Sequence, residues 1–106
     1  MAEAKLIVLY PPPVDPAAFD EAYRNEHVPL MRAHLAGLRV AVTKVAAALD
    51  GPSPHYLMAE IFAPSMDLIK AALATPGGKE IGAHAAAIST GGRPTVLFST
   101  EDVHQL

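Results

Sequence analysis

The stretch Leu6, Ile7, Val8, Leu9, Tyr10, Pro11, Pro12, Pro13 decides how this chain folds. Five consecutive apolar residues predict a strand, and three prolines, which bring no backbone donors, end its ladder. A strand covered by helices on one side alternates apolar and polar residues, but here Leu6, Val8, Tyr10 and Ile7, Leu9 make both faces apolar. Val96 and Phe98, alternating with Thr95 and Leu97, repeat the pattern in a second strand near the other end of the sequence. A sheet built from these strands needs cover on both faces.

The intervening sequence supplies the first cover. Asp15 followed by Pro16 predicts an N-cap and first helical position, and Phe19, Tyr23, Leu30 and Leu35 carry a helical pattern toward Gly37. Leu38 to Leu49 and His55 to Ala63 flank the turn-rich Asp50, Gly51, Pro52, Ser53, Pro54, which predicts two strands joined as an extended hairpin. Ala46, Ala47 and Ala48 are poor strand formers. Ser65 caps a second helix to Ala74, and Thr75 with Pro76 starts a third, to about Ile88. Gly91 and Gly92 end helical structure before the last strand, Thr95 to Thr100, and a polar tail runs on from Glu101. The order strand, helix, strand, strand, helices, strand is the ferredoxin-like split βαβ arrangement of the α+β class: a four-stranded antiparallel sheet with helices on one face. A second copy, packed sheet to sheet, would cover the other face as a symmetric homodimer.

Composition fits one domain spanning residues 1–106, and 51% hydrophobic against 18% charged residues makes self-association the simplest outlet for apolar surface. Eleven acidic and eight basic residues give a net charge of −3, without a Lys/Arg cluster, which sets aside nucleic acid and anionic membranes as partners. Cysteine is absent, removing disulfides, thiolate catalysis and sulfur-ligated metals, and the apolar run at the N-terminus is too short for a signal-peptide core or a membrane span. A soluble cytoplasmic protein is the expectation.

Several segments together resemble the EthD-like branch of the dimeric α+β barrel proteins. They are Lys5 to Tyr10 with its prolines, Tyr23 to Leu30, Tyr56 to Phe62, and Gly91, Gly92 before the last strand, so the resemblance covers nearly the whole chain. In the third helix the chain departs from the pattern: many EthD-like sequences carry Asp and Phe where this one has His84 and Ile88. The resemblance implies a sheet-to-sheet dimer and a pocket between helices and sheet. It also implies an association with ether catabolism beside oxygenase systems, while related barrels include cofactor-free monooxygenases, lactone isomerases and polyketide cyclases.

The segment Tyr23, Arg24, Asn25, Glu26, His27, Val28, Pro29, Leu30 carries the candidate chemistry. At about 100° per residue, Phe19, Tyr23, Glu26, His27, Leu30 and His34 fall within one stripe facing the core. An imidazole there exchanges protons at neutral pH, and Tyr23 one turn away orients it or holds a carbonyl or phenol. His27 and Tyr23 are therefore the candidate catalytic pair, and Leu30 and His34 candidate contacts for a small apolar or aromatic ligand. The alternative is a packed histidine whose nitrogens bond to buried backbone or to Glu60. Pro29 removes a helical hydrogen bond and crowds the carbonyl of Asn25, so the helix is expected to kink or loosen beside His27.

Tyr56, Met58, Glu60 and Phe62 alternate along one strand face and complete the candidate substrate-binding set. Facing the helices, Glu60 would pair with His27; facing the dimer, it would meet a cation or a backbone donor. No metal site is expected, since His27 and His34 lie about 10.5 Å apart along a helix and His55, His84 and His104 add no ligand spacing. Gly77, Gly78, Lys79 lack the rest of a phosphate loop, and no nucleophile elbow or dinucleotide fingerprint occurs, so no cofactor is expected. Two functions remain: an enzyme using His27 as acid and base without a cofactor, or a non-catalytic binding protein accessory to an oxygenase system.

Overall fold

In the computed structural model, which describes residues 3–106, the first strand, β1, runs over Glu3–Tyr10 and ends where the prolines begin. Asp15 caps α1 (Pro16–Ala22), its carboxylate accepting from the Ala18 amide at 3.2 Å. The helix then widens into a π-turn, Tyr23–His27, and resumes as α2, Val28–His34. β2 (Arg39–Lys44) and β3 (Leu57–Ala63) come next, then α3 (Met66–Ala74), α4 (Pro76–Ile88) and β4 (Thr95–Glu101). Ser65 and Thr75 cap α3 and α4, accepting from the amides of Leu68 and Gly78.

The strands lie in the order β2-β3-β1-β4, every neighbour antiparallel, which is the ferredoxin-like sheet. The expected hairpin is shorter than the sequence suggests. β2 stops at Lys44, and Ala46 and Ala47 belong to a long connection because small side chains bury too little to hold a strand there. At the other end, Glu101 belongs to β4 rather than to a loose tail, anchored by Lys5 at 2.9 Å.

Alternation sorts the sheet. Leu6, Val8 and Tyr10 of β1 and Leu57, Ala59 and Ile61 of β3 are buried beneath the helices, where Phe19, Tyr23, Met31, Ile69 and Ile81 meet them. The opposite face carries Ile7, Leu9, Met58 and Leu97, interrupted by Lys5, which bridges Glu60 at 2.6 Å and Glu101 at 2.9 Å. Arg39 lies 4.0 Å from the centre of the Phe62 ring on that face. Gly91 is explained by chain packing: a Cβ there would collide with the carbonyl oxygen of Pro12, so the proline run can cross the turn only over a glycine. Among the described residues no helix is long and apolar enough to cross a membrane.

Candidate functional site

The π-turn positions the site. The residues buried along the first helical segment are Phe19, Tyr23, His27, Met31 and Leu35, a strict four-residue spacing that would drift off one face of an α-helix. A turn with wider bonds, such as that from the Val28 amide to the Tyr23 carbonyl, absorbs part of the drift. Pro29 lies just beyond it and has no amide to offer, so the loosening expected beside His27 takes the form of this turn. One extra residue also rotates all of α2, which corrects the expected stripe. Met31 and Leu35 turn inward, while Glu26 and His34 are exposed and Leu30 is only partly buried.

Between the helices and the sheet lies a cavity of about 110 Å³. Leu6, Val8 and Ile61 line it from the sheet, Met31, Ile69 and Ile81 from the helices, and Tyr23 and His27 bring its polar groups. An apolar cavity of about 150 Å³ holds benzene, so this space is of the order that one small ring fills.

His27 is 3% exposed and lies against Tyr23 with ring centres 4.9 Å apart and planes tilted by 35°. Its Nδ1 lies 2.9 Å from Nδ1 of His84 on α4, and His84 Nε2 lies 3.1 Å from a carboxylate oxygen of Glu26. These contacts decide where the protons sit when both rings are neutral. The Glu26 carboxylate only accepts, so His84 donates from Nε2 and presents a bare Nδ1; His27 must donate from its own Nδ1, leaving Nε2 with a free lone pair. The ring nitrogen of His27 that is hydrogen-bonded among the described residues is Nδ1, not Nε2. Burial, and then the neighbouring His84, hold the His27 pKa down to about 4, so this imidazole is neutral at physiological pH.

Tyr23 provides the complementary group. Its hydroxyl is buried without a hydrogen-bond partner among the described residues. Burial pushes its pKa up to about 12, so it stays a protonated donor. One donor and one acceptor in an apolar enclosure are the elements that hold an oxygen-bearing ligand and receive its proton.

The remaining expected residues lie elsewhere. Met58, Glu60 and Phe62 stand on the sheet face away from the cavity, because alternation assigns the inner face to Leu57, Ala59 and Ile61. Glu60 therefore meets Lys5 and not His27, whose partner is His84. Tyr56 precedes β3 and escapes the alternation, its hydroxyl donating to Asp20 at 2.9 Å and its ring meeting Phe19 edge-on. Lys44 reaches the same carboxylate at 2.6 Å and, more than the tyrosine, holds the Asp20 pKa below the usual carboxylate range. His34 faces Glu80 at 3.3 Å outside the cavity. Among the described residues no three acidic or histidine side chains converge as metal ligands.

His84 and Glu26 are not among the candidate site residues expected from the sequence, although Glu26 falls on the expected core-facing stripe and His84 marks a departure from the EthD-like pattern. The signal for His84 was present: on α4 it shares a stripe of about 100° with Ile81, Ala85 and Ile88.

The EthD domain matches residues 11–89. The chain belongs to the EthD family. An EthD family protein of Bacillus halodurans shares 37% identity, with a TM-score of 0.85 over 94% of this chain and 99% of that one. An uncharacterized 11.0 kDa protein from the thcB-thcC intergenic region of Rhodococcus erythropolis is 34% identical over 92% of this chain and 94% of its own length. SnoaB, a cofactor-independent oxygenase from Streptomyces nogalater, shares the fold at 14% identity and a TM-score of 0.64, over 100% of this chain and 97% of its own. His84 thus stands within the span matched by the EthD domain, directly against the buried histidine.

Proposed function

We propose that this EthD protein binds a small apolar or aromatic compound bearing a carbonyl, phenol or ether oxygen in the helix–sheet cavity. There it performs cofactor-free acid/base chemistry with His27 as proton acceptor. The observation that carries the reading is the polar pair on an otherwise apolar wall: a buried Tyr23 hydroxyl without a partner among the described residues, and a neutral His27 whose hydrogen bond to His84 is made through Nδ1 and not Nε2. With a carbonyl or phenol, Tyr23 donates to the ligand oxygen and Nε2 takes the α-carbon or hydroxyl proton that this contact makes more acidic; an ether is held through its oxygen without proton transfer. Deprotonation is the first step both of an isomerisation, in which the proton returns elsewhere, and of an oxygenation in which dioxygen attacks the anion. Membership of a family associated with catabolism, and a fold shared with a cofactor-independent oxygenase, support either outcome.

The test is binding of cavity-sized phenols, lactones and ethers, followed by NMR of the His27 and Tyr23 signals. A ligand that shifts both and loses affinity in Tyr23→Phe supports the site; ligands that bind only on the outer sheet face contradict it. If binding survives in His27→Ala and no turnover depends on that residue, the protein is a non-catalytic accessory of an oxygenase system.

The same reading includes a homodimer formed through the outer sheet face. Ile7, Leu9, Met58 and Leu97 supply its apolar surface, with the ion-paired Lys5, Glu60 and Glu101 at one end.

A further inference from the structure

We propose that His84 and Glu26 are positioning residues that form a proton relay from the cavity to solvent and switch the tautomer of His27. The proposal rests on the reading of His27 as proton acceptor. Three groups stand in line: His27, 3% exposed; His84, whose side chain is 22% exposed; and Glu26, at 64%. The links are 2.9 Å and 3.1 Å, and the two imidazole rings are nearly parallel, 17° apart. A buried imidazole beside an apolar cavity is a poor place for a positive charge, whereas a half-buried one against a carboxylate is a good one.

The step balances within these residues. In the resting state Glu26 is a carboxylate, His84 carries its proton on Nε2 and His27 carries its proton on Nδ1. A ligand proton arriving at His27 Nε2 is matched by transfer of the Nδ1 proton from His27 to His84 Nδ1. His27 ends neutral with the proton on Nε2, and His84 becomes an imidazolium paired with Glu26. Returning the proton to the ligand runs the same transfers backward. Uptake of one solvent proton by the pair, entering at His27 Nε2 while the Nδ1 proton of His27 passes to His84 Nδ1, gives the same state without a ligand and turns His27 from an acceptor toward the cavity into a donor.

The other titratable groups near the pair leave this arrangement intact. Glu80, one turn before His84 on α4, is engaged by His34 at 3.3 Å. Behind His27, burial raises the pKa of both Tyr23 and Tyr10, so the phenols remain neutral.

Histidine 15N–1H correlation spectra of the intact protein, recorded from pH 8 down to pH 5, test the relay. At pH 8 His27 is expected to be protonated on Nδ1 alone. As His84 takes up a proton, His27 is expected to change to the Nε2–H form and stay neutral. In Glu26→Ala, a surface change, His84 loses the acceptor that holds its proton on Nε2, so at pH 8 the Nδ1–H form of His27 is expected to give way to a mixture of tautomers. An Nε2–H His27 at pH 8, a tautomer that ignores His84, or an unchanged His27 tautomer in Glu26→Ala overturns the proposal. No ligand is needed, so a failed switch overturns the relay alone, whereas undiminished turnover in His27→Ala overturns the reading of the cavity.

Discussion

His27 and His84, 57 residues apart in sequence, share one hydrogen bond through their Nδ1 atoms at 2.9 Å, and this contact joins the π-turn to α4. One consequence is acid sensitivity. The His27 pKa is near 4 in the folded protein and near 6.5 unfolded, so between those values the unfolded chain binds the extra proton and stability falls as pH falls. The loss should grow below pH 6.5 and level off below pH 4, reaching roughly 3 kcal/mol at most. Urea unfolding of wild type and His27→Gln across pH 4–7.5 checks this. The variant, which cannot titrate, should show a shallower slope by about that amount, and equal slopes would refute the assignment.

Tyr23→Phe separates ligand binding from stability. A buried hydroxyl without a partner costs free energy, about 1–3 kcal/mol for a group of this kind. The free variant should therefore melt no lower than wild type, while binding of a phenol or ketone probe weakens several-fold. A large fall in melting temperature would mean that the hydroxyl has a structural partner.

Two glycines of α4 should respond oppositely to alanine. At Gly82 a Cβ meets nothing within 4 Å, so Gly82→Ala should stabilise by about 0.5–1 kcal/mol through helix propensity and a less free unfolded chain. At Gly78 it would collide with the Ala72 carbonyl oxygen and the Leu73 backbone at the junction with α3, so Gly78→Ala should cost about 1–3 kcal/mol. Denaturation midpoints of the two variants provide the check.

The outer sheet face gives a prediction about assembly. Leu97 is 43% exposed and stands opposite Ile7, so Leu97→Asp places a charge in the proposed dimer interface. Sedimentation at micromolar concentration should find a wild-type dimer and a Leu97→Asp monomer. A wild-type monomer would remove the dimer from the account.

Local rules make much of this legible in the sequence. Asp15, Ser65 and Thr75 are short polar side chains ahead of apolar helical patterns, and each caps the helix beside it. The split βαβ arrangement is legible from the order of the elements, since few topologies connect them. What escaped depends on three-dimensional context. A π-turn has no strong sequence signature, yet its one extra residue turned Met31 inward and Glu26 and His34 outward. The His27–His84 contact exists only once α4 docks against that turn, and the face that Glu60 occupies was fixed by β-sheet register. The sequence drew attention to His27 and Tyr23, while the residues that set the protonation of His27 lay on another helix and on the outer side of its own.

The central claim is that His27 Nε2 receives a proton from a ligand held in the apolar cavity. Its most direct measurement is deuterium incorporation from D₂O into a cavity-sized ketone such as cyclopentanone, followed by NMR with wild type, His27→Ala and Tyr23→Phe. A positioned general base typically contributes about 100-fold or more. The account predicts enzyme-dependent α-exchange that falls by at least about that factor in His27→Ala and more modestly in Tyr23→Phe. Exchange that persists at the wild-type rate in a folded His27→Ala protein that still binds the ketone would contradict it.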